Sequence, residues 1–274
     1  MLYRAKDIVG SAVRAVNGEV GVVRDLYFDD ATWFLRYFVV DTGGWLTTNE
    51  VLLVPWALRG DPTNQSFASS LTREQIENSP PVASALPVAR QQEQMLHEYY
   101  SWVPYWGGTF PAEPGFFVYP PLSSIEPGIY PEVLSPGSST SMASSGPGLK
   151  DNTPAANNPH LRSFKEVRGY HVQATDGQIG RVACALVDPA SWRFTHLVVA
   201  IRHGLSVQHF VVDVGFTKGF DWESGTVKID LMREQVRKSP DFVPGQTIDD
   251  TYQRVVSSYY RGLVSRFTEG RPRA

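Results

Sequence analysis

The sequence predicts a mainly β protein built as two small antiparallel β-barrels in tandem, each followed by C-terminal helical segments. Three observations carry this: the chain repeats itself, each copy opens on a hairpin signature followed by short strands, and the stretch between the copies has linker composition. At a constant offset of 159, residues 10–40 overlay residues 169–199 without a gap, with 11 of 31 positions identical. The shared positions include Gly10/Gly169, Gly18/Gly177, Gly21/Gly180, Asp29/Asp188 and Trp33/Trp192. Further along the offset becomes 160, where LTREQIENSP at 71–80 matches LMREQVRKSP at 231–240 in six of ten places, and Tyr99-Tyr100 meets Tyr259-Tyr260. A repeat of this length defines two copies of one unit.

Each copy begins with apolar residues at Val13 and Ala15, or Val172 and Ala174, before Asn17-Gly18 or Asp176-Gly177. These dipeptides tolerate positive φ at both central positions, so the expected connection is a type I′ hairpin. The second strand ends at the turn-rich Asp29-Asp30-Ala31-Thr32 or Asp188-Pro189-Ala190-Ser191. A third strand is expected at 33–40 and 192–201, a fourth at 51–55 and 208–214, and a fifth at 226–231, where Val227, Ile229 and Leu231 alternate with polar residues. Short strands with frequent turns favour a closed barrel over a doubly wound sheet. The departures at 202–205 and 213–215 predict an irregular fourth strand in the second copy.

Each copy ends in an amphipathic helix. In the second, Ile248, Tyr252, Val255, Val256, Tyr259, Tyr260, Leu263 and Phe267 recur at three- and four-residue spacing behind a Thr247/Asp250 capping box. Val88, Met95, Leu96, Tyr99 and Tyr100 match them in the first. Residues 101–160 hold 11 Pro, 7 Gly and 9 Ser, a linker composition, with a low-complexity, mobile part expected at 135–148. The aromatic run Trp102, Tyr105, Trp106, Phe110, Phe116, Phe117 and Tyr119 is expected to lie over a module, with a partner-docking surface as the other reading. The predicted organisation is a first module at 1–106, a linker at 107–160, a second module at 161–268 and a basic tail at 269–274.

The chain has 274 residues, 42% hydrophobic and 19% charged, enough for a core and unlike a disordered chain. Its net charge of −3 conceals an asymmetry. Residues 1–100 carry 8 Lys/Arg against 12 Asp/Glu, and residues 161–274 carry 16 against 12. The −4 and +4 halves favour packing against each other, while a near-neutral total argues against bulk nucleic-acid binding. No apolar run approaches the ~18 residues of a membrane span and no signal-type segment opens the chain, so a cytoplasmic protein is expected, with a peripheral position at a membrane complex as a variant.

The pattern V-x-A-x-[ND]-G-x-[VI]-G-x-V, followed by Asp29 or Asp188 and Trp33 or Trp192, resembles the PRC-barrel family, named for the H subunit of the purple bacterial photosynthetic reaction centre. The strings RYFVVDTGGWL at 36–46, VLLVPWAL at 51–58, LTREQIENSP at 71–80 and YYSWVPYW at 99–106 are similar to bacterial tandem PRC-barrel proteins. The resemblance covers most of the chain outside about 107–160. It implies a small antiparallel barrel per copy and a role in docking onto larger assemblies. The N-terminal membrane helix of reaction-centre H subunits has no counterpart here.

A search for chemistry finds no constellation. Gly43-Gly44 lacks the Lys-Ser/Thr of a phosphate loop, and Gly18 and Gly21 serve hairpin geometry. The histidines at 97, 160, 171, 196, 203 and 209 are scattered, and His203 and His209 are too far apart along one strand to share a metal. The single cysteine, Cys184, aligns with Asp25 inside a predicted strand and is read as a buried apolar residue, with a nucleophile as the alternative. Asp29-Asp30 read as a turn rather than as catalytic carboxylates, and Trp33 and Trp192 as packing residues rather than ligand-stacking ones. Catalytic, cofactor-binding and metal residues are therefore none, and no cofactor is expected. The leading expectation is a non-enzymatic adaptor that binds protein and whose two modules pair within the chain. An accessory factor in RNA processing or ribosome maturation, a reaction-centre H-like regulator of a membrane electron-transfer complex, and an enzyme with its cleft between the barrels are the alternatives.

Overall fold

The computed structural model describes residues 1–43, 49–61, 64–80, 90–102, 104, 160–246 and 248–269. The aromatic linker residues beyond Trp102, the low-complexity stretch, the Gly44–Leu46 loop, Val88 and Thr247 lie outside the described residues.

Two sheets share one strand order. In the first, β2 (Ala12–Ala15), β3 (Gly18–Asp29), β4 (Leu35–Asp41), β5 (Glu50–Leu53), β6 (Leu58–Asp61) and β7 (Ser66–Ser69) run β5-β4-β3-β2-β7-β6. In the second, β9 (His171–Ala174), β10 (Gly177–Asp188), β11 (Arg193–His203), β12 (Ser206–Asp213), β13 (Thr217–Asp221) and β14 (Thr226–Ile229) run β12-β11-β10-β9-β14-β13. Short helices α2 (Arg73–Glu77) and α5 (Arg233–Arg237) follow, then longer ones, α3 (Arg90–Tyr100) and α6 (Asp250–Glu269). The mainly β class is as predicted; several details are not.

Ala15 pairs with Gly18 and Ala174 with Gly177, so the hairpin loops are Val16-Asn17 and Thr175-Asp176. Positive φ falls on Gly18 (148°) and Gly177 (134°), not on Asn17 or Asp176, and the turns are not type I′. Asn17 and Asp176 have another task. Each accepts a 2.8 Å bond from a helix-opening amide 56 or 57 residues away, Arg73 N to Asn17 Oδ1 and Arg233 N to Asp176 Oδ1. The hairpin loop thereby caps the short helix, satisfying a donor that the helix leaves open.

The sheets are not purely antiparallel. β7 pairs parallel with β2, and β14 parallel with β9. Nor are they closed by hydrogen bonds. Among the described residues no ladder joins β5 to β6 or β12 to β13; 3-10 turns at Pro55–Ala57 and Val214–Phe216 separate them, leaving two open seven-stranded sheets. β6 and β13 escaped the sequence pattern because each carries a glycine, Gly60 or Gly219, inside a short polar run. The fourth strand of the second copy is regular: β12 pairs with β11 without a register shift from Asp213 to Ser206.

The seventh strand of each sheet comes from the other copy. β1 (Tyr3–Arg4) pairs with β10, and the following α1 (Ala5–Ile8) buries Ala5 and Ile8 there. Reciprocally, β8 (Leu161–Ser163) pairs with β3, and α4 (Phe164–Val167) buries Phe164 and Val167. The registers correspond at the repeat offset: Tyr3 faces Val187 as Arg162 faces Phe28. Residues 161–163, which the repeat alone assigns to the second module, thus complete the first sheet. One hydrophobic cluster runs through both copies.

Trp33 and Trp192 stand at the seam with φ of 66° and 51°, a conformation uncommon for non-glycine residues. Trp192 packs edge-on to Phe38 at 5.2 Å, inside the first module, and Trp33 meets Phe220 of the second at 5.5 Å. Trp192 fills the first copy's core, while Trp33 lies between Phe28 of its own copy, stacked at 5.5 Å, and Phe220 of the other; this burial compensates the backbone strain.

The helix stripes need correction. Met95, Tyr99 and Val255 are exposed, and α3 turns Glu93 and His97 inward beside Leu96. The cap of α6 is Asp249, whose Oδ1 accepts from Tyr252 N at 2.8 Å.

Candidate functional site

Three polar arrangements are built into this frame. The first is a clasp on the exchanged segment. Asp25, buried on β3, accepts from the Ser163 hydroxyl, from Lys165 N at 2.9 Å and from Leu26 N at 2.7 Å. Burial pushes its carboxyl above the usual range, partly offset by these donors. The twin position is Cys184, 3% exposed on β10, whose thiol pKa burial also raises. A buried, protonated thiol is a poor nucleophile, in keeping with the packing reading.

The second arrangement fastens the chain where it re-enters from the linker. Asp30 accepts from Arg162 Nε at 3.0 Å and stands 2.8 Å from His160 Nδ1, while the Arg162 guanidinium lies 4.1 Å over the Trp222 ring. Asp29 caps its own turn through Ala31 N and Thr32 N and pairs with buried Arg36 at 3.1 Å. Both carboxylates therefore hold structure, and Pro189 in the twin turn confirms that no carboxylate pair is repeated.

The third arrangement was not read from the sequence. Tyr37 on β4 places its hydroxyl 3.0 Å from Glu93 Oε1 and 3.0 Å from His97 Nε2, both on α3. All three side chains are buried, Glu93 at 0% exposure and His97 at 1%. They sit beside a satellite cluster containing Tyr27, Val39, Leu52, Val54, Leu96 and Leu161. Trp102 closes this region, stacked on Tyr100 at 4.1 Å and edge-on to His97 at 6.0 Å. The four-residue spacing of Glu93 and His97 was the available signal, but a polar pair on an amphipathic helix reads as its solvent face.

The remaining histidines do not converge. His171 contacts Gln178, His196 is buried on β11 with Nδ1 2.9 Å from the Thr195 hydroxyl, and His203 stands at the exposed tip of the β11–β12 hairpin. Among the described residues, no group of three His, Cys, Asp or Glu could hold a metal ion, and no helix is long and apolar enough to cross a membrane.

The hairpin, the two long strands and the turn that positions Trp33 all fall within one known domain. Residues 1–66 match the PRC-barrel domain. A protein of Deinococcus radiodurans described as uncharacterized is 41% identical over 71 residues. That match covers 26% of this chain and 26% of the relative, so the chain spans about a quarter of the length of the curated relative it matches. The PRC-barrel match is sequence-contiguous, yet its first residues, 3–8, are seated on the other sheet, and the matched sheet is completed by residues 161–163.

Two exposed apolar side chains project from one hairpin. Leu205, fully exposed, and Val207, 48% exposed, stand on the projecting β11–β12 hairpin, whose residues 202–208 are all solvent-exposed. β12 is also the edge strand of its sheet.

Proposed function

We propose that the protein is a non-enzymatic adaptor in which two PRC-type modules, locked together by strand exchange, present a protein-binding surface. The observation that carries this reading is the PRC-barrel domain at 1–66, a domain of interaction modules, on a frame that engages Asp25 and Asp30 in internal contacts. The matching strand order and exchange register of residues 160–246 support reading the second copy as another module of the same type. The projecting hairpin with Leu205 and Val207 is the favoured docking element, since the end of an edge strand beyond its bridge to Asp241, with exposed apolar residues, can pair with an extended partner segment. The acidic first module makes direct RNA contact the weaker reading.

The test is quantitative cross-linking in native host extract, comparing the wild-type chain with Leu205→Asp/Val207→Asp. The proposal expects one set of protein partners whose recovery falls at least about tenfold in the variant, with unchanged melting. Identical recovery from both chains would remove the hairpin from the reading. Salt-sensitive retention of RNA in place of protein would replace the reading itself.

A further inference from the structure

The two copies provide an internal control for the Tyr37–Glu93–His97 cluster. α3 and α6 are equivalent in place: Tyr99 Oη donates to Gln75 O at 2.9 Å, and Tyr259 Oη donates to Gln235 O at 2.5 Å, the same bond at the repeat offset. Yet the positions that face the sheet differ. Tyr37, Glu93 and His97 correspond to His196, Gln253 and Ser257. The second helix is anchored by Val256, Tyr260 and Leu263, all buried, whereas α3 buries Leu96 and, with it, a carboxylate and an imidazole. The module fold therefore does not require this titratable pair. Its presence in the first copy alone calls for a role specific to that copy.

We infer that Tyr37, Glu93 and His97 form a pH-sensitive latch that holds α3 on the first sheet at neutral pH and releases it on acidification. The Tyr37 hydroxyl has one proton and donates it to Glu93 Oε1, so His97 Nε2 meets it as the donor. The resulting chain runs from imidazole to phenol to carboxyl, with Glu93 Oε1 as its acceptor end. Acid would add one proton to the carboxylate and one to the other nitrogen of the imidazole, turning a cluster with one negative charge into a cationic one among apolar neighbours, which is costly in a buried site.

The groups packed around it include another carboxyl that burial raises, Asp25, which Ser163 and Lys165 hold in the wild-type chain and in the variants below alike. β3 contributes Tyr27, whose hydroxyl burial holds well above the usual phenol range, with Asp25 and Glu50 acting on it in the same direction. α3 itself contributes Tyr100, pushed up to about 12 by burial. On β4, Arg36 is engaged with Asp29; on β8, Arg162 is engaged with Asp30; Trp56 of the 3-10 turn and Trp102 bring no charge. Release would uncover the apolar face formed by Tyr27, Val39, Leu52 and Val54.

Hydrogen exchange of the full chain, corrected for intrinsic rates, at about pH 7.5 and about pH 5 tests this, with α6 as the internal reference. The latch expects protection of residues 93–100 to fall at least about tenfold on acidification while residues 253–260 change little. The variant Glu93→Gln/His97→Ser, which copies the second helix, should keep α3 protected at both pH values. Equal protection of α3 in the wild-type chain at the two pH values overturns the inference, as does an acid-induced loss that persists in this variant. Should the double variant leave α3 unprotected throughout, the isosteric Glu93→Gln decides: pH-independent protection supports the latch, and wild-type pH dependence overturns it.

Discussion

Trp33 and Trp192 exchange hydrogen bonds across the seam: Phe194 N donates to Trp33 O and Leu35 N donates to Trp192 O, both at 2.8 Å. Each tryptophan thus fastens the strand that follows its twin, and Phe34 bridges Arg193 between them. Truncating either side chain opens a cavity in the common core. Trp33→Ala and Trp192→Ala should each cost about 3–5 kcal/mol. Thermal unfolding should remain one transition at a lower temperature, since the two modules share their core. Two separate transitions in the wild-type chain would show that the modules are energetically independent.

The glycines of the repeat differ in what they protect. Gly18 and Gly177 need positive φ, and valine there should cost about 1 kcal/mol or more. Gly21 and Gly180 are held by close approach: a Cβ would lie 1.9 Å from Asp41 O and 2.3 Å from Ala200 O. Gly21→Ala and Gly180→Ala are expected to be the more damaging pair, because the clash is with backbone of the neighbouring strand. Denaturant titration of the four variants orders them, and an alanine at Gly21 milder than a valine at Gly18 would contradict the assignment.

Removing residues 1–8 should injure the second module more than the first. The excised segment is the partner of Leu186 and Val187 and the cover of β10. Exchange protection of residues 184–188 is expected to collapse in the truncated chain while that of residues 35–41 declines less. Loss confined to the first module would mean that the exchange is not what holds the pair.

His196 gives the second module its own pH dependence. Burial holds its pKa below 6.5, against the opposing pull of Asp213, so the folded state favours the neutral ring. A base whose folded pKa is depressed contributes stability that is present above the unfolded value and lost as pH falls through the folded one. Stability should therefore decline below about pH 6.5, by at most about 1.4 kcal/mol per pH unit for one proton. His196→Phe should remove this component of the slope. A variant with the wild-type slope would place the titration elsewhere.

Much of the architecture was legible in the residues. The two-copy organisation, the existence of a hairpin near Asn17 and near Asp176, though not its turn type or exact loop, and the terminal helices follow from local signals: glycine tolerance of unusual φ, apolar spacing, and identity at a fixed offset. The Tyr37 cluster was not legible, because Glu93 and His97 look like solvent-facing residues until α3 is laid on the sheet with its charged side inward.

Local pattern thus settled that one unit occurs twice and that it is mainly β, since these depend on residues near one another in the chain and on identity at a fixed offset. Tertiary structure alone decided that β1 and β8 change places, that Trp192 fills the first copy's core while Trp33 meets Phe220 of the other, and that β7 and β14 run parallel to their neighbours. The physical reason is symmetry. In a repeated sequence either copy of an element fits either copy of its partner equally well by local pattern, so the choice between keeping and exchanging it rests on chain connectivity and on contacts such as Asp25 with Ser163 and Lys165, between residues about 140 positions apart.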